Sequence, residues 1–207
     1  GNAVDAAIAA NAVLGVVEPM SCGIGGDLYA FVWDANTQSL HGLNASGRSP
    51  KDLKTETFSE RGLSEIPLYG PLSWSVPGCV QGWHDLQSRF GRLDAENVLA
   101  PAIHLAESGF AVSPVIASFW KGSEGRLNQH ETSAKTYLVD GQAPRAGQIY
   151  RNPRLASTYR HLAEHGFPAF YKYPIVDEIV RYSREQGGFF SKADFENHAN
   201  EWVTPVS

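Results

Sequence analysis

The 207-residue sequence is 43% hydrophobic and 19% charged, with a net charge of −5. That balance suits one folded domain, or a large piece of a bigger one, and is too apolar for a disordered chain. With no run of Lys or Arg to meet phosphates, and apolar stretches (6–17 and 114–120) too short or interrupted to cross a bilayer, neither a nucleic-acid nor a membrane partner is expected.

Residues 2–15, NAVDAAIAANAVLG, predict a helix with Asn2 as its cap, Asp5 in its first turn and Gly15 as its end. Apolar residues surround nearly its whole circumference, so it is expected to be buried all round. The cluster SCGIGGD (21–27) follows. LYAFVWD and SLHGLN then read as two strands of a hairpin turning at residues 35–38. Residues 44–78, rich in Gly, Pro and Ser, read as extended loop with one short helical candidate near 50–60 and a strand at LSWSV (72–76). A helix is expected from Pro77-Gly78 to Phe90, and helical spacing continues over 94–108, with a second helix starting at Pro101. A helix follows at 113–121, no element is assigned to 122–150, and proline-opened helices are expected at 153–165 and 174–186. After a short FF, SKAD starts a small helix, and EWVTPVS reads as a strand just beginning. The chain opens at Gly1 on a helix signal with no leader in view, and is expected to be a helix-rich fragment of a larger protein, one incomplete domain over 1–207.

The glycine cluster invites three chemical readings. A dinucleotide fingerprint or P-loop needs strand, glycines, helix; here the order is helix, glycines, strand, and no GK[ST] follows. A nucleophile elbow needs serine between the glycines, and Ser21 lies outside them. The cluster is therefore read as a tight backbone crossing that packs the first helix against the sheet and places the hairpin leading to Arg48. Cys22 and Cys79 form no CxxC and have no neighbouring His, which excludes a disulfide framework and a cysteine zinc site; both read as buried free thiols. Cys79, in the first turn of a helix, is also weighed as a thiol nucleophile, against a plain packing role. His161 and His165, one helical turn apart, read as a solvated helix face, and no metal site is assigned. Arg48 follows a strand among Asn44, Ser46 and Ser49. It reads equally as a two-pronged clamp on a substrate carboxylate or as an exposed or ion-paired structural arginine.

Four blocks in order, GNAVDAAIAANAVLGVVEPMSCGIGGDLYAFVWD, SGRSP, LSWSVPGCVQGWHDLQSRFGRL and VLAPAIHLAESGFAVS, resemble the gamma-glutamyltranspeptidase family, and GFFSKADFENHANEWVTPVS resembles the later part of its large chain. The resemblance implies an α+β fold, part of a four-layer αββα sandwich of an N-terminal-nucleophile hydrolase. It implies a precursor that cuts itself, freeing a threonine that attacks an amide with its own α-amine as base. The Thr-Thr-His-like start of the small chain is absent, so no catalytic residue is assigned within 1–207. Family members of the glutathione-using type carry an arginine four residues before the loop proline; here that position is Ser46, and Arg48 stands two before Pro50. GGDLYA and NASGRSP are closer in style to the acylase-like and oxamate-amidohydrolase-like branch. VPGCV has cysteine where the family usually has threonine.

The implied function is that of the large-chain portion of an amidohydrolase or acyltransferase for amides of small carboxylate-bearing acyl groups; a non-catalytic module derived from the same family is the alternative. Arg48 is the expected carboxylate ligand, with Asn44 and Ser46 as further pocket residues. No cofactor is assigned. The expected partners are an amide substrate and the chain's own small chain; homo-oligomerisation and the compartment (cytoplasmic, or periplasmic and secreted) are left open.

Overall fold

The computed structural model describes residues 1–206. In chain order its elements begin with α1 (Ala3–Val17), β1 (Leu28–Asp34), β2 (Ser39–Ala45), α2 (Thr55–Glu60), α3 (Cys79–Phe90) and α4 (Ala95–Ser108). They continue with β3 (Phe110–Ala111), α5 (Pro114–Leu127), α6 (Glu131–Tyr137), β4 (Ile149–Tyr150) and α7 (Pro153–His165). A 3₁₀ turn (Phe167–Tyr171), α8 (Ile175–Glu185), α9 (Lys192–Glu196) and β5 (Glu201–Val203) complete them. The chain divides into two compact units, one from Gly1–Gly23 with Phe90–Gly166, the other from Ile24–Arg89 with the chain from Phe167 onward.

In the first unit, α4 packs against both α1 and α7. Helix α1 starts at the expected cap: Asn2 Oδ1 accepts from the N–H of Val4 and Asp5, and Asp5 accepts from Asn2 N–H. The second Asp5 oxygen accepts from the N–H of Arg92 and Leu93, so this buried carboxylate ties the helix to the 90–94 turn. Burial of α1 follows one stripe, Asp5, Ile8, Ala12, Gly15 and Val16, and the face of Ala3, Ala6, Ala7 and Ala10 is exposed, contrary to the all-round burial expected. Nor does Gly15 end the helix. A Cβ there would lie 3.1 Å from the Tyr159 hydroxyl and 3.4 Å from Gly23 Cα, so Gly15 serves close packing inside the helix. Pro101 likewise lies within a single helix: Val98, Leu99, Ala102, Ile103 and Ala106, all buried, hold both halves of α4 in one line and outweigh the lost hydrogen bond. The unassigned 122–150 region holds the end of α5, α6 and β4, closed over Val112, Trp120, Leu138 and Tyr150.

In the second unit, β1, β2 and β5 form an antiparallel sheet in the order β1-β2-β5, with Leu28 opposite Ala45, Asp34 opposite Ser39, and Asn44 opposite Glu201. The hairpin turns at 35–38 as expected. One face of the sheet rests on α3: a Cβ on Gly82 would lie 3.0 Å from both Ala45 Cβ and Leu28 Cδ2. LSWSV is not a strand. Its segment, bounded by Pro71 and Pro77, joins the 47–49 loop through a bond from Val76 N–H to Arg48 carbonyl, and forms no ladder. Neither cysteine is disulfide-bonded; Cys79 is buried and Cys22 only half-buried, with its thiol pushed up by burial and by the Glu18 charge.

Candidate functional site

The alternation of β1 sets the character of the sheet's second face. Leu28, Ala30 and Val32 point toward α3, while Tyr29, Phe31 and Trp33 are 69%, 73% and 56% exposed. Directly opposite them on β2 stand Asn44, Gly42 and Leu40, and Glu201 and Val203 of β5 continue the same rows. The result is an open aromatic face with a polar edge where Asn44 and Glu201 meet.

Arg48 lies at that edge. Its guanidinium pairs with the Glu201 carboxylate, with the two side chains 66% and 56% exposed. Asn44 Oδ1 accepts from Ser46 N–H at 3.1 Å and from Ser46 Oγ at 2.7 Å, an Asx-type turn that starts the loop. Gly47 N–H donates to Asp27 at 2.8 Å, and Arg48 carbonyl accepts from Val76 N–H at 2.9 Å. Gly47 permits this crossing, since a Cβ there would stand 1.8 Å from Val76 carbonyl oxygen. The loop's backbone is thus held from three sides, while the Arg48 side chain reaches into solvent. The three sequence-derived site residues come together at one sheet corner.

The glycine cluster acts beside them. Gly26 carbonyl accepts from the N–H of Gly78 and Cys79 at 3.1 and 2.9 Å, capping the first turn of α3, and Asp27 anchors Gly47. Gly23 and Gly25 are not sites of tight approach: a Cβ on either would meet nothing within 4 Å. The tight crossings lie at Gly47 and at Gly78, where a Cβ would be 2.1 Å from Ala45 carbonyl oxygen. The Tyr171 hydroxyl extends the α3 cap, accepting from Gln81 N–H and donating to Pro77 carbonyl. Burial pushes this phenol well above its ordinary range.

Sequence reasoning missed Asp27, Glu201 and a neighbouring polar chain. His198 stacks on Tyr171 with ring centroids 5.4 Å apart, its Nε2 lies 3.1 Å from Asn200 Oδ1, and Asn200 Nδ2 donates to Asp85 at 2.9 Å. Burial holds His198 below the ordinary imidazole range and the Arg48 charge adds to this, against the opposing pull of Asn200, Asp85 and Asp27. The only local signals were carboxylates at strand ends, in GGD and EWV. Elsewhere, Cys79 is 2% exposed, out of reach of a substrate. The His161 and His165 rings lie 4.5 Å apart with planes tilted by 31°, and among the described residues no group of three His, Cys, Asp or Glu side chains is placed to hold a metal ion. Among the same residues no helix is long and apolar enough to cross a membrane.

Residues 1–207 match the gamma-glutamyltranspeptidase family along their whole length. The chain belongs to that family. It is 34% identical to the glutathione hydrolase-like YwrD proenzyme of Bacillus subtilis over 208 residues, covering all of this chain and 39% of that protein. Its fold matches a cephalosporin acylase from Bacillus halodurans with a TM-score of 0.93 and 38% identity, over 99% of this chain and 39% of the other. It also matches Helicobacter pylori gamma-glutamyltranspeptidase with a TM-score of 0.94 and 27% identity, over 99% of this chain and 60% of the other. The fold is thus the helix-rich α+β large-chain portion of an N-terminal-nucleophile hydrolase, with a counterpart on the acylase side of the gamma-glutamyltranspeptidase family. The chain spans well under half the length of the Bacillus proenzyme it matches.

Proposed function

We propose that this chain is the substrate-holding part of an amidohydrolase or acyltransferase that acts on amides carrying a small carboxylate-bearing acyl group. In this reading a threonine outside the sequence attacks the amide carbonyl. Its hydroxyl proton passes to its own α-amine and then to the departing amine, leaving an acyl ester that water or an acceptor amine cleaves. Arg48 holds the substrate carboxylate in two-pronged fashion, with Asn44 and Ser46 shaping the pocket. The observation that carries the reading is Arg48 at the corner of an open aromatic sheet face, on a loop whose backbone is pinned by Asp27 and Val76. The aromatic face is the proposed seat of the second chain cut from the same precursor, which would bring the threonine to that corner.

Replacing Arg48 by Ala in the full-length protein is expected to lower kcat/KM for glutaric and γ-glutamyl amides by about 30-fold or more, the usual cost of unpairing a charge held at a site. Equal rates in the variant and the parent protein would sink the assignment. A second reading, a non-catalytic module, is favoured by one fact: Glu201 already satisfies Arg48. Absence of any amide turnover by a full-length, self-cleaved protein would select it.

A further inference from the structure

Immediately beside the Arg48 loop, α2 and residues 63–75 line an open groove of about 600 Å³, within the ~300–1,000 Å³ of small-molecule sites. Its walls include Phe58, Ile66, Leu72 and Trp74. Trp74 lies nearly parallel to Tyr182 and Phe190, with ring centroids 6.2 and 6.3 Å away, so one wall is a preset aromatic surface. Eight polar residues complete the lining. Among the described residues, the hydroxyls of Ser49, Thr55, Ser64 and Ser75, the Lys54 ammonium and the Glu65 carboxylate have no hydrogen-bond or ion-pair partner, so they stand available to a ligand. The groove adjoins the Arg48 loop: Ser49 follows Arg48 in sequence, and Val76, next to Ser75, is bonded to Arg48 carbonyl.

We propose that this groove binds an apolar group of aryl size on the amide whose carboxylate Arg48 holds, making the protein selective for bulky aryl-bearing amides over small acyl amides. The inference rests on the carboxylate role of Arg48, because that contact fixes which ligand lies next to the groove. Flat aromatic walls rimmed by unpartnered hydroxyls, one ammonium and one carboxylate suit an aryl ring with polar substituents better than a branched aliphatic chain. The ring can belong to the acyl side or to the leaving amine, and the two sources are separable.

The test uses the full-length, processed protein with three substrates: glutaramate, its N-benzyl amide, and 3-phenylglutaramate. At least one aryl-bearing substrate is expected to exceed glutaramate in kcat/KM, and which one does so assigns the ring to the amine or acyl side. Phe58→Ala and Ile66→Asp are each expected to lower that aryl-to-small ratio by about tenfold or more. Ile66 is two-thirds exposed, so its variant keeps the test valid should Phe58→Ala fail to fold. An unchanged ratio, an equal loss on all three substrates, or a parent protein that prefers glutaramate overturns the proposal; the equal loss would mean the groove seats protein. Failure of the Arg48 reading looks different: Arg48→Ala would be silent while the groove variants still shift the ratio.

Discussion

Glu201 competes with any anion for Arg48, and the energetics of the pair decide how strongly. Both side chains are more than half exposed, so the pair is worth about 0–1 kcal/mol. A substrate carboxylate can displace Glu201 at that cost, and Glu201→Gln is expected to lower KM for a carboxylate-bearing amide by about two- to fivefold with kcat little changed. A rise in KM would instead make Glu201 the residue that orients the guanidinium. Asp5 carries a purely structural load. Burial alone would raise its pKa, but the N–H groups of Arg92, Asn2 and Leu93 together hold it below the usual carboxylate range. Asp5→Ala strands those donors and is expected to destabilise the fold by about 2–4 kcal/mol in urea unfolding. Because the folded pKa is depressed, the stability from Asp5 is present above its unfolded pKa near ~3.9 and lost as pH falls through the folded one. His198 shows the same sign in a different window. With Nε2–H donating to Asn200, its buried Nδ1 has no partner, so protonation would bury an unpaired N–H. Its contribution is full above the unfolded pKa near ~6.5 and falls away as pH drops through the lower folded value. Urea midpoints measured from neutral to mildly acidic pH are expected to fall less steeply in His198→Gln than in the parent protein.

At the scale of elements, the crossing of β2, the Arg48 loop and the start of α3 is built from backbone approaching backbone. Gly47→Ala and Gly78→Ala would each drive a methyl against a carbonyl oxygen, and each is expected to cost about 2 kcal/mol or more and to shift the Arg48 loop. Gly122 lies inside α5 with an ordinary backbone, and a Cβ there would meet nothing within 4 Å. It should behave oppositely, Ala at that position stabilising by about 0.5–1 kcal/mol. Thermal unfolding of the three variants checks both signs. Elements with their own local signals were legible in the sequence. The Asn152 cap before Pro153 and the Gly166 end set α7, and the 35–38 turn set the hairpin. Elements held from a distance were not. Helix α6 has no buried residue of its own and is fixed by Trp120 Nε1–H donating to Tyr137 carbonyl, a contact invisible in a local window. At the site, Arg48 was legible from its small-residue loop, whereas its ion-pair partner lies 153 residues away and emerges only from the pairing of β2 with β5.

For the whole molecule, the exposed sheet face departs from what a free-standing protein presents to water. Antiparallel sheets commonly leave one face to solvent, but that face is then polar. Here Tyr29, Phe31, Trp33, Leu40 and Val203 share it, and a contiguous apolar surface of this kind marks an interaction site. β1 is also an edge strand of the sheet, with a seven-residue row facing away from β2 that can accept a further strand. Stacking on the face and pairing along the edge are both open to the proposed second chain, and charge on the face would disrupt the first while sparing the second. Phe31 is 73% exposed, so Phe31→Asp leaves the α3-facing core of this sheet untouched. In the full-length protein this variant is expected to abolish co-elution of the two processed chains on size exclusion, or to halt maturation at the uncut precursor, with the far-ultraviolet circular dichroism of the large-chain helices retained. Normal cleavage and co-elution in Phe31→Asp would rule out stacking on the aromatic face and leave pairing along the β1 edge as the way the second chain reaches the Arg48 corner.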